Sequence, residues 1–114
     1  MKKFIKKVKV FFALVQADIE LKKATKLADK KFKDYGKRFY VIPNVNHKLI
    51  VQSWSQLKKM RKQGLFSAHA NEKAFINESF YYTPNRFGKF ISKEQMVKKR
   101  KYWRYYSLKV KGLL

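Results

Sequence analysis

This chain of 114 residues contains no cysteine, which excludes disulfide bonds and thiolate chemistry at the outset. It has two histidines and four glycines. His47 falls in an expected turn and His69 at the start of an expected helix. Neither has a second ligand type at a convincing metal-binding spacing. Glu72, three residues after His69, reads as a surface pair. The glycines are scattered and build no phosphate-cradling loop. The seven acidic residues each lie within sequence or helical reach of a lysine, so ordinary ion pairing accounts for them. No nucleophile motif is present. The expectation is a protein that is not an enzyme, with no metal and no cofactor.

Long apolar runs are scarce as well. The one at the N-terminus, within "MKKFIKKVKVFFALVQADIE", covers only residues 10–15, with Lys9 before it and Gln16, Asp18 and Glu20 behind it. That is far short of the ~20 apolar residues of a membrane span. It also lacks a small-residue cleavage pattern, so a secretion signal is not expected.

What the chain has is positive charge. Lys and Arg number 29 against 7 Asp and Glu, a formal net charge of +22. The cations run through the whole sequence rather than sitting in a tail. A surface so charged repels itself, and the working state is expected to be a complex with something acidic. Lysine dominates over arginine, which suits diffuse neutralisation better than bidentate base reading. The apolar fraction of 46 %, with ten Phe, seven Tyr and two Trp, is enough to fill a core and argues against disorder.

The local pattern predicts an α+β fold. It comprises a long N-terminal helix, a small three-stranded antiparallel sheet, short helices and a basic C-terminal helix. Residues 2–35 lack Gly and Pro and read as one helix ended by Gly36. Two apolar stripes run along it. Phe4, Val8, Phe11, Val15 and Ile19 share one face; Leu14, Ala17, Leu21, Ala24, Ala28 and Phe32 share another, well around the helix. "KRFYVIPNVNHKLIVQS" reads as a hairpin, Ser53 as the cap of a helix over "WSQLKKMRKQ", and residues 69–77 as a short helix. "SFYYTP" reads as a third strand, and Ser92 with Gln95 as a capping box opening the last helix at Lys93. This divides the chain into a docking arm over residues 1–20, a small domain over 21–92 and a basic-aromatic helix and tail over 93–114.

Two segments carry the binding candidates. In the arm, Phe4, Val8, Phe11 and Val15 are the expected partner-docking residues, surrounded by Lys2, Lys3, Lys6 and Lys7. In "KKRKYWRYY", Lys98, Lys99, Arg100, Lys101 and Arg104 form a cationic ridge around the aromatic anchors Tyr102, Trp103 and Tyr105. By spacing, Trp103 and Tyr106 suit packing, while Tyr102 and Tyr105 lie nearer the cations. Such a surface fits an acidic protein partner through aromatic and Arg anchors, or phosphates with stacked bases. Membrane binding is a weaker expectation, because acids stand right behind the arm.

The order of a Lys-rich helix, "GKRFYVIP", a "KLIV" strand, a second Lys-rich helix and "FYYTP" resembles small basic proteins of crAss-like tailed bacteriophages of gut Bacteroidales, over most of the chain. The resemblance implies a virion protein of the auxiliary capsid type, assembled in the host cytoplasm, that bridges acidic capsid neighbours within a larger complex. It transfers no site residues.

Overall fold

A helix continues where nothing breaks it, and residues 2–35 hold neither glycine nor proline. In the computed structural model, which describes residues 2–65, 70–84 and 88–114 with side chains from residue 5 onward, this stretch is helix α1, Lys2–Tyr35. Its 34 residues rise about 50 Å, matching the longest molecular dimension of 52 Å, so α1 spans the whole protein. It ends at Gly36, whose φ of 67° is the left-handed conformation that glycine adopts without strain. The Gly36 N–H closes the cap on the Phe32 carbonyl at 2.8 Å.

Strands β1, Phe39–Pro43, and β2, Leu49–Ser53, form the expected hairpin, with Val41 opposite Val51. In the turn, the Asn44 side chain accepts from the N–H groups of Asn46 and Lys48. His47 takes up a φ of 63° there. Ser53 and Gln56 make a reciprocal capping box that opens α2, Trp54–Lys62. Asn71 caps α3, Glu72–Glu78, which starts later than expected; His69 lies outside the described residues. The third strand, β3, is only Tyr81–Tyr82, and it pairs antiparallel with the free side of β1, giving the order β2-β1-β3. Thr83 and Pro84 follow, both buried; Thr83 Oγ1 accepts from the Phe39 N–H at 2.8 Å. Helix α4, Lys93–Val110, begins where Ser92 accepts from the Gln95 N–H.

Central strand β1 is buried on both faces, which is why it reads as a continuous apolar run instead of an alternating one. Phe39 and Val41 point into a core with Ala17, Leu21, Ala24 and Ala28 of α1 and Trp103 of α4. Tyr40 and Ile42 point the other way, against Leu57 of α2 and Phe75 of α3. The alanines matter because small side chains let α1 lie close to both the sheet and α4. The fold is α+β, in three layers: α1 with α4, the sheet, then α2 with α3.

α4 lies along α1 through residues on both sides of the anticipated boundary at 20. Ala13 and Ala17 are buried, and the Trp103 indole N–H donates to the Ala17 carbonyl at 2.8 Å. Apolar area on both helices drives this, and through Trp103 α4 contributes to the core.

Candidate docking surface

At 100° per residue, the two stripes of α1 fall on nearly opposite sides of the helix. The stripe Ala17, Leu21, Ala24 and Ala28 faces the core. The other remains exposed: Ile5, Val8, Phe11, Phe12, Val15 and Ile19 all face outward, with Phe11 and Phe12 each 63 % exposed. The two phenyl rings meet edge to face, 5.7 Å between centroids. Lys7 and Lys9 stand exposed along the two edges of the stripe, whereas Lys6, also exposed, lies on the far side of α1 and lines a hollow with Gly112 and Leu113. Of the residues expected here, Val8, Phe11, Val15 and Lys7 share this surface, and Lys6 turns away from it; the side chains of Lys2, Lys3 and Phe4 lie outside the described residues.

The α4 ridge is different from its expectation. Lys98 and Lys101 are exposed as anticipated. Lys99 is not a surface cation: it is 8 % exposed and its Nζ donates to the carbonyls of Ile76 at 2.9 Å and Ser79 at 2.5 Å. These are acceptors at the C-terminal end of α3, where a cation meets the negative pole of the helix. The Tyr82 ring lies 5.3 Å from the same ammonium. Burial pushes the Lys99 pKa down. Spacing carried the warning, since Lys99, Trp103 and Ser107 stand at i, i+4 and i+8 and all three are buried.

Arg100 and Arg104 are committed as well. Both forks close on the one carboxylate of Asp18: Arg100 with Nε at 3.2 Å and Nη2 at 3.0 Å, Arg104 with Nε at 2.9 Å and Nη2 at 2.5 Å. The hydrogen bonds from Arg104 and then Arg100 hold the Asp18 carboxyl well below the usual carboxylate range. The hydrogen bond to Asp18 raises the Arg104 pKa in turn. This clamp ties α4 to α1.

The aromatic anchors divide in the same way. Tyr102 and Tyr105 are half exposed, although the Tyr102 ring also packs on Phe80 at 5.0 Å. Trp103 is an interior residue, 1 % exposed, and so leaves the anchor set. Tyr106 packs as expected against Trp103, and its hydroxyl sits 2.7 Å from His47 Nδ1. The hub of this cluster is Phe80, in ring contact with Tyr102, Trp103 and Tyr106. Sequence spacing gave no sign of that role, because Phe80 precedes a two-residue strand.

Among the described residues, no acid forms an ion pair with a lysine. Asp18 binds two arginines, Asp29 accepts from the Tyr81 hydroxyl at 2.6 Å, and Glu72 from the Tyr40 hydroxyl at 2.7 Å. Burial first, and then these carboxylates, raise both tyrosine pKa values above the ordinary range. Among the described residues, Arg100 and Arg104 are the cations in ion pairs, which leaves the described lysines without a carboxylate. Also among the described residues, no group of three or more acids and histidines could hold a metal ion, and no helix is long and apolar enough to cross a membrane. No family model, curated protein or solved structure matches this chain.

Proposed function

We propose that the protein is a non-enzymatic structural component of an acidic assembly, docking through the exposed apolar and cationic face of α1. The observation that carries this reading is the stripe from Ile5 to Ile19, left uncovered on the side of α1 opposite the core. Burying it on a neighbour would be worth about 25 cal/mol per Å² of apolar area removed from water. A second copy of the chain is a poor occupant, because two bodies of +22 repel. An acidic neighbour removes that repulsion and is steered by the lysines. The phage resemblance supplies the setting: a virion, with this chain bridging capsid subunits as an auxiliary capsid protein.

The test is a pull-down with tagged protein from the native source at moderate salt, with and without nuclease, alongside Phe11→Asp. A shell or assembly protein retained after nuclease, and lost with Phe11→Asp, supports the reading. Retention of that protein by Phe11→Asp would remove the α1 stripe from the interface.

A nucleic-acid role is the second reading, favoured by the described lysines that lack carboxylate partners. It gains if everything bound is released by nuclease.

A further inference from the structure

A second surface lies farther along the helical layer, beyond the stripe. Between α1 and the first turns of α4 runs an open groove of about 620 Å³. Leu21 and Phe80 form its buried floor, and Met96 and Val97 of α4 stand exposed along one wall. Lys22 and Lys26 on α1, and Lys93 on α4, form its rim. Among the described residues none of these three lysines has a carboxylate partner. The acid in the groove, Asp18, is neutralised by two arginines and offers no negative charge to repel an anion. The site is thus apolar below and uncompensated cationic above.

We propose that this groove receives a short acidic segment of the partner, with an apolar side chain on the Leu21–Phe80 floor against the Val97 wall and its carboxylates on the Lys22, Lys26 and Lys93 rim. The partner's acidic character rests on the docking reading above, but the surface is separate from the Phe11 stripe. The chemistry matches: the flexible thioether of Met96 adapts to varied apolar shapes, while flanking carboxylates meet cations whose own acids are absent. The groove meets the anticipated ridge at Arg100, which is committed to Asp18, while Lys98 and Lys101 do not line it.

The experiment titrates the full chain into a dye-labelled peptide in which a Leu–Phe pair is flanked by glutamates, followed by fluorescence anisotropy. A matched peptide carrying Ser–Ser in place of Leu–Phe is the control. Val97→Asp and Lys26→Glu are the groove variants; both positions are exposed, and circular dichroism checks that each remains folded. Phe11→Asp is the variant outside the groove. The expected result is at least about tenfold weaker binding for each groove variant and for the Ser–Ser peptide, with Phe11→Asp close to the parent chain. Equal binding of both peptides would mean general charge attraction and would overturn the proposal. So would Val97→Asp binding like the parent. Loss on Phe11→Asp alone would assign the peptide to the α1 stripe, overturning the groove while leaving the docking reading intact.

Discussion

Lys99 separates a structural cation from a binding cation, and replacing it by methionine tests the difference. The side chain keeps much of its length but loses its ammonium. In the fold, the Ile76 and Ser79 carbonyls then lose this donor. Leaving a buried acceptor unsatisfied, here the Ser79 carbonyl, costs about 1–3 kcal/mol, and the Ile76 carbonyl, which keeps the Ser79 hydroxyl at 3.5 Å, adds less. Removing a buried ammonium returns part of its desolvation penalty, which is why its pKa is depressed. The net expectation is a loss of about 2 kcal/mol, from the middle of that range after the offset. For a domain near this size that lowers Tm by roughly 8–16 °C. Urea unfolding followed by tryptophan fluorescence reads it, with Lys98→Met as the exposed neighbour, expected within about 0.5 kcal/mol of the parent. If Lys99→Met were as stable as Lys98→Met, the buried hydrogen bonds would contribute nothing and the assignment would be wrong.

Asp18→Asn should destabilise by about 1–2 kcal/mol at neutral pH, because both arginine forks lose a charged acceptor. The depressed carboxyl makes its contribution fully present above the unfolded value of about 4 and lost as pH falls below it, so stability of the parent should drop more steeply than that of Asp18→Asn on the acid side. If nucleic acid is bound, neutralising Lys98 and Lys101 together should flatten the log–log salt slope by about 2 units, measured by titration against duplex DNA; an unchanged slope removes the α4 ridge from contact. Phe11→Asp should leave urea stability within about 0.5 kcal/mol of the parent, since the ring is exposed, so any loss of docking reports the surface and not unfolding.

Much of the fold was legible locally. Gly36, the Ser53 and Ser92 caps and the Asn44 turn are signals within a few residues of where they act. The α1 stripes were legible because helical periodicity reports which side chains share a face. The ridge was misread because "KKRK" looks uniformly solvated, whereas the helix turns one of its members inward toward α3. Nor could the acids be assigned from lysines close by in sequence: Asp18 meets Arg104 86 positions away and Asp29 meets Tyr81 52 positions away.

From its residues alone, this protein was bound to be highly cationic, rich in aromatic area and built on one long helix beside a short hairpin. Composition and local spacing determine those features because they depend on sums and near neighbours. Tertiary packing decided which charges remain available. It placed α4 along α1, buried Lys99 and Trp103, committed Arg100 and Arg104 to Asp18, and opened the groove above Leu21 and Phe80. A side chain's exposure depends on what the distant chain brings against it, and the sequence around that side chain does not contain this information.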